Sequence, residues 1–305
     1  MLNNGQQKKL ISLCGANIYF DVSMARFCTL RAGGRAAALA EAGKTDLVSA
    51  LLDYCRRENL PWRVIGRGSN ILVKDEGFPG ILIRLGGELS ALEGDAVSGV
   101  ITAGGGCLLA ELLGYCRRNG LGGLEFLAGI PGSVGGSIRM NAGAFGQSLA
   151  ESLLGVKIVT SDGSQHEITR EHWQSGYRSF TIEGLDMEGV IILMTKFQLA
   201  AASSEQIGAK IQNFLQLRNE KQPSSMPSAG SFFKNPENDF AGRLIEAAGL
   251  KGLRIGAAMV SPAHANFIVN VGGATATDIL QLMRRVQEKV RIKTGIFLEP
   301  EVHII

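Results

Sequence analysis

The stretch AGIPGSVGGSIRMNAGAFG, residues 128–146, carries glycine at 129, 132, 135, 136, 143 and 146. Glycine gives up the most backbone freedom on folding, so each of these positions weakens a helix or strand interior. Such a run predicts loop backbone that comes close to something. A second cluster, GRGSN at 66–70, lies between two apolar runs, WRVIG and ILV, that read as short strands. The chain of 305 residues holds 40 glycines, about twice the usual share. They gather in a few loops and show no collagen period. The chain is built to wrap backbone around a ligand.

Loops of this kind turn successive N–H groups toward one point and hold anionic oxygens. Ser69 and Asn70 add side-chain donors, and Pro131 stiffens the second loop. A Walker loop needs G-K-[ST], and no lysine follows here. GRGSNI lacks the third glycine of the dinucleotide fingerprint and runs into a strand, not a helix. A pyrophosphate held by a different architecture is therefore expected. Tight turns alone would explain either loop by itself; two loops of this density favour the ligand.

Composition excludes several classes. Hydrophobic residues make up 45% and charged ones 19%, with a net charge of +3 and no block of like charge. Nothing suggests a nucleic-acid arm or a polybasic membrane anchor. The apolar run VIILM (190–194) falls far short of the roughly 18 residues that span a bilayer. MLNNGQQKKLIS lacks the apolar core of a signal peptide. A cytoplasmic chain is expected, with no membrane partner. Cysteines 14, 28, 55, 107 and 116 form no C-x-x-C pair and read as buried free thiols. The four histidines show no H-E-x-x-H spacing, so no metal is expected.

Periodicity predicts helices over 45–60 with Thr45 as N-cap, over 108–120 stopped by Gly120, and from 203 with a Ser203–Gln206 capping box. Further helices are expected in DFAGRLIEAAGLKG, ending at Gly249, and in TATDILQLMRRVQEKVRIKTG with Ile279, Leu282, Met283, Val286 and Val290 inward. Strands are expected at GILIRL, GVITAG, GVKIVT, GVIILMTKFQL and the closing FLEPEVHII. The fold class is α+β: a strand-rich N-terminal two-thirds, then a helix-rich third, divided near residues 200–205.

VIGRGSNILV, GLEFLAGIPGSVGGSIRMNAGAFG, GYRSF, AGSFFKNP, HANFIVN and FLEPEVHII occur in that order. From about Thr29 to Ile305 the chain resembles the UDP-N-acetylenolpyruvoylglucosamine reductase family. The resemblance implies a two-part flavin domain of the FAD-binding PCMH or vanillyl-alcohol-oxidase type over 1–200, with subdomains near 1–88 and 89–200. A smaller α+β domain over 201–305 would bind a nucleotide-sugar. FAD would be held non-covalently, with NADPH as co-substrate and hydride passing through flavin N5 to a vinyl carbon. A monomer is expected, with no nucleic-acid partner.

By the same resemblance, Gly66, Arg67, Gly68, Ser69 and Asn70 would hold the pyrophosphate. Gly129, Ile130, Pro131, Gly132, Ser133, Gly136, Ser137, Asn141, Ala142 and Gly143 would line the cofactor. Arg178 matches the catalytic arginine, able to bind a carboxylate with paired donors. Ser231 matches the proton donor, helped by Lys234 or Lys221 because a lone hydroxyl is a poor acid. Glu301 matches the glutamate near the carboxylate; beside a growing anion it must act protonated or through a hydrogen bond. Tyr177, Arg218, Lys221, Lys234, Asn235, His264 and Asn266 would contact the substrate. Two departures stand out: members commonly read Y-R-x-S where this chain has Phe180, and Ala32 and Arg35 replace a β-branched residue and a proline in TLRAGGRAAA. The tyrosine-bearing insertion of the longer class is absent. An oxidase of the same fold, with FAD attached to histidine, and a non-catalytic UDP-sugar binder are the alternatives. His166 and His172 match no attachment motif, and the presence of Arg178, Ser231 and Glu301 argues against the second.

Overall fold

Hydrophobic patterning, not local propensity, decides where the helices fall. The computed structural model describes residues 2–223 and 226–305, without the side chain of Lys221. The chain divides into two compact units: Met1–Phe20, Ala38–Gly66 and Gly80–Leu217 in the first, and Asp21–Ala37, Arg67–Pro79 and Arg218–Ile305 in the second.

Helix α1 (Asn4–Cys14) was not anticipated, although Asn3 and Gln6 form a reciprocal capping box ahead of buried Leu10 and Cys14. Helix α2 (Thr45–Arg57) buries Val48, Leu51, Leu52 and Cys55. Thr45 proves to be its first helical residue, and Lys44 stands at the cap without a side-chain bond. The buried face sets this start, aided by Asp46 in the first turn against the positive helix end. Helix α3 (Leu109–Arg118) ends ahead of Gly120, whose φ is 67°.

The first unit centres on a five-stranded antiparallel sheet ordered Gln165–Thr169, Leu153–Thr160, Val190–Gln198, Val100–Gly104, Leu92–Asp95. The turn after Leu153–Thr160 falls at Ser161–Gly163, as its S-D-G signal predicts. Ile101, Leu112, Phe126, Val134, Ile158, Trp173, Phe180 and Phe197 share its core. Within the glycine-rich stretch lies α4 (Val134–Arg139), where loop was expected. The reason is close packing: a Cβ on Gly135 would meet the carbonyls of Gly105 and Ile192 at 3.1 and 3.2 Å. Bare backbone lets this turn of helix sit against the sheet, and that contact outweighs glycine's poor helix propensity.

Helix α5 (Ser204–Lys221) starts at the expected box: Gln206 N donates to Ser203 Oγ at 3.1 Å, and Ser203 N to Gln206 Oε1 at 3.1 Å. In the second unit, α6 (Ala241–Ala247) and α7 (Ala276–Thr294) share a core with Leu72, Phe232, Phe233, Ile268 and Leu298. All five residues expected inward on α7 are buried. Three short antiparallel strands, Arg254–Ile255, Ala258–Val260 and Ile268–Asn270, belong to the same unit. The closing segment is strand only at His303–Ile304, paired in parallel with Ile71–Leu72. Pro300 removes a ladder donor just upstream. Each unit combines helices with largely antiparallel strands, the mixed content of an α+β fold.

Candidate active site

In the first unit, Ser133 caps α4, its Oγ accepting from Gly136 N at 3.4 Å. A Cβ on Gly66 would meet the same Oγ at 2.5 Å, so Gly66 is packed directly on the longer loop. Gly129, Pro131 and Gly136 are exposed, Ile130, Gly132, Ala142 and Gly143 half-buried, and Ser133, Ser137 and Asn141 buried. The loop therefore offers backbone and small surfaces outward, while its polar side chains are turned in.

Arg178 is the second residue of the two-residue loop that joins Trp173–Gly176 to Ser179–Ile182. Its φ is 52°, a region that glycine and asparagine favour. Its Nη1 donates to Gly143 O at 3.3 Å, and the guanidinium lies 5.1 Å from the centre of the half-exposed Tyr177 ring. Phe180, where members commonly carry serine, is 3% exposed and packs 5.8 Å from Trp173. Here the departure fills core.

The second unit draws together motifs that are far apart in sequence. The carbonyl of Gly68 accepts from Thr29 N at 3.0 Å, that of Ser69 from Thr29 Oγ1 at 3.4 Å, and that of Asn70 from His303 N at 3.0 Å. All peptides among the described residues are trans. A trans unit holds N–H opposite C=O, so the amides of Ser69, Asn70 and Ile71 face away from these partners. Gly68, at φ 70°, supplies the left-handed residue of such a nest, and a Cβ there would fall onto the Phe27 carbonyl. This geometry fits an anionic diphosphate, with exposed Arg67 beside it.

Asn70 also reaches Glu301: its Nδ2 donates to the Glu301 carbonyl at 3.0 Å. Glu301 N donates to Phe232 O at 2.9 Å, and Phe233 pairs with Pro300. Ser231, half-exposed, therefore lies one residue from the point where Glu301 joins its segment. Asn266, 3% exposed, fixes the other side. Its carbonyl accepts from Phe232 N at 2.7 Å, its Oδ1 from Phe233 N at 3.0 Å, and its Nδ2 donates to Phe233 O at 2.8 Å.

Other expected substrate residues have partners as well. Lys234 Nζ lies 3.3 Å from Glu299 Oε2, and Asn235 Oδ1 accepts from Ala241 N at 3.1 Å. His264 Nδ1 accepts from Asn266 N at 3.2 Å, and its ring meets Phe267 edge-on at 4.8 Å. Burial, then the nearby Lys251 cation, hold the His264 imidazolium below its ordinary range, against opposing pulls from the backbone and Glu246. Arg218 is half-buried near the end of α5; the side chain of Lys221 lies outside the described residues. Arg178 belongs to the first unit, Ser231 and Glu301 to the second.

Two supporting residues carried no sequence signal of their own. Thr29 turns the Gly68 and Ser69 carbonyls inward. Asp75 accepts from Ala276 N and Thr277 N at 2.9 and 2.8 Å, capping α7 from the segment that carries the diphosphate loop. Burial works to raise its carboxyl, but the Thr277 hydroxyl and both amides prevail and hold it low.

The chain is similar to known proteins along its length. Residues 222–305 match the UDP-N-acetylenolpyruvoylglucosamine reductase C-terminal domain, and residues 36–169 match an FAD binding domain. The UDP-N-acetylenolpyruvoylglucosamine reductase of Bacillus subtilis (strain 168) is 41% identical over 286 residues, 92% of each chain. That of Geobacter metallireducens is 41% identical over 309 aligned residues, covering 100% of this chain and 99% of its own. The crystal structure of the reductase (MurB) from Thermus caldophilus superposes with a TM-score of 0.79 at 39% identity, covering 93% of this chain and 97% of that one. With similarity at this level over the full length, the chain belongs to the UDP-N-acetylenolpyruvoylglucosamine reductase family.

Proposed function

We propose that the protein reduces UDP-N-acetylglucosamine enolpyruvate to UDP-N-acetylmuramate with NADPH, as an FAD enzyme of peptidoglycan precursor synthesis. One observation carries the reading: Asn70 of the diphosphate loop is bonded to Glu301, whose amide is bonded in turn to the segment presenting Ser231. An anion loop and two acid–base residues tied together suit a cofactor diphosphate held beside a proton transfer.

FAD, when bound, supplies the two-electron transfer between NADPH and the terminal vinyl carbon. The outward amides of Ser69 and Asn70, with Arg67, would hold its diphosphate; Gly129, Ile130, Pro131 and Gly136 would line it. Arg178 binds the enolpyruvyl carboxylate, where negative charge collects as hydride arrives. A fixed cation at that point stabilises the transition state more than the ground state. Ser231 delivers the proton to the adjacent carbon, so the product gains one hydride and one proton while NADP+ leaves. Glu301 assists at the carboxylate, and Lys234 acts on Ser231 through a charge it shares with Glu299. Arg218, Lys221, Asn235 and Tyr177 receive the nucleotide-sugar. The work divides in chain order, flavin over 1–200 and substrate over 201–305, although Arg67–Asn70 packs among C-terminal elements. The reading includes a cytoplasmic monomer; no described helix is long and apolar enough to cross a membrane.

The test is NADPH absorbance under anaerobic conditions, with and without UDP-N-acetylglucosamine enolpyruvate. Substrate-dependent consumption is expected. A yellow, folded protein that consumes no NADPH with this substrate would overturn the assignment.

A further inference from the structure

We infer that Asn141 is a positioning residue for Arg178, acting through the hairpin that carries the arginine and not through a ligand. Asn141 is 5% exposed, with φ 39°. Its Nδ2 donates to Gly176 O at 2.9 Å, and its Oδ1 accepts from Ala150 N at 3.1 Å. An amide nitrogen only donates and an amide oxygen only accepts, so these two partners fix which way round the group sits. Each end of the side chain thus has a partner inside the protein. What Asn141 grips is the residue directly before the Tyr177–Arg178 loop. The loop grips back: Arg178 Nη1 donates to Gly143 O, two residues beyond Asn141. The hairpin tip and the 141–143 turn are bolted together from both sides.

The tip needs such a bolt. Trp173, Phe180 and Ile182 anchor the strands in the core, but Gly176, Tyr177 and Ser179 at the tip are exposed. Arg178 sits at a left-handed φ that residues other than glycine and asparagine seldom hold unaided. Once the Asn141 bond is lost, the tip can relax to the ordinary region, which swings the guanidinium away from the place it occupies in the native hairpin. The inference rests on the reading of Arg178 as the carboxylate-binding arginine.

The experiment is a double-mutant cycle in the flavin-loaded enzyme: Asn141→Ala and Asn141→Asp, each alone and with Arg178→Ala. Aspartate keeps the acceptor for Ala150 N and tolerates the left-handed φ, but has no N–H for Gly176; it also serves if the alanine variant fails to fold. Each single Asn141 variant is expected to lose about tenfold in kcat. Flavin content and the rate of flavin bleaching by NADPH should stay at wild-type levels. Hydrogen exchange of residues 173–182, measured without substrate, should speed up. In the Arg178→Ala background neither variant should lose anything further. Losses that multiply with Arg178→Ala, a fall in flavin content, or full activity in Asn141→Asp with unchanged exchange would overturn the positioning role. Wild-type turnover in Arg178→Ala alone would bring down the role of Arg178 itself, an outcome distinct from independent, multiplying losses.

Discussion

The two units hold their chemical residues by different means. In the first, Arg178 stands on an exposed hairpin tip joined to the 141–143 turn by one side-chain bond in each direction. In the second, the segment with Ser231 is woven in: bonded through Phe232 and Phe233 to Asn266, through Phe232 to Glu301, and through Lys234 N to Glu299 O at 2.8 Å. An exposed tip held through side chains can lose its geometry while the fold survives. A woven segment cannot, because its ties are also buried backbone hydrogen bonds whose loss leaves unpaired polar groups. Function and stability should therefore separate at Arg178 and travel together around Ser231.

The largest effect is expected where the chemistry is most direct. Ser231→Ala removes the proton donor without touching the backbone ties, so kcat should fall by about 10²–10⁴-fold. Bleaching of the flavin absorbance by NADPH should keep its wild-type rate; an equal loss there would mean that Ser231 serves cofactor or fold. Arg178→Gly comes next. Removing the cation aimed at developing charge should cut kcat by roughly 10²–10³-fold. The melting temperature should hold or rise, because glycine relieves a left-handed φ worth about 1–2 kcal/mol. A clear fall in melting temperature would show that the hairpin tip is structural after all.

How much of this was legible depended on what each residue faces. The α7 face, the Ser203–Gln206 box and the S-D-G turn are local signals, and they appear where the sequence places them. Helix α4 was hidden, since Gly135 and Gly136 read as loop until Gly105 and Ile192 are known to lie against Gly135. The family resemblance marks Asn141 and Asn266 as ligand residues, and the structure gives each amide partners inside the protein. The resemblance singles out the residue; direction comes from partners such as Gly176 and Phe233 far along the chain. Nor does chain order reveal that 67–79 packs with the C-terminal elements, because the parallel pairing of Ile71–Leu72 with His303–Ile304 spans most of the molecule.

The woven side of the comparison is tested by Asn266→Ala. It strands Phe233 N and O in the interior, and about 2–4 kcal/mol of stability should go with them. Activity should fall as well, since Ser231 and Glu301 hang on the same segment. Chemical denaturation with and without flavin would measure the first effect. A variant as stable as wild type but inactive would mean that Asn266 contacts the substrate, making this region resemble the first unit instead.

The smallest effect sharpens the same point through pH. His264 accepts from Asn266 N through Nδ1 and is held below its ordinary range mainly by burial, then by Lys251. The folded state therefore resists protonating it. As pH falls below the unfolded value near 6.5, the unfolded chain takes up the proton first and stability drops until the folded imidazole also titrates. His264→Asn keeps an acceptor for the amide two residues on, as asparagine does in an Asx turn, and removes the titration. The loss of stability between about pH 7 and pH 5 should be shallower in the variant, while stability above that window stays close to wild type. Parallel curves for variant and wild type would mean that His264 titrates as though solvated, and that burial around Asn266 is looser than its bonds imply.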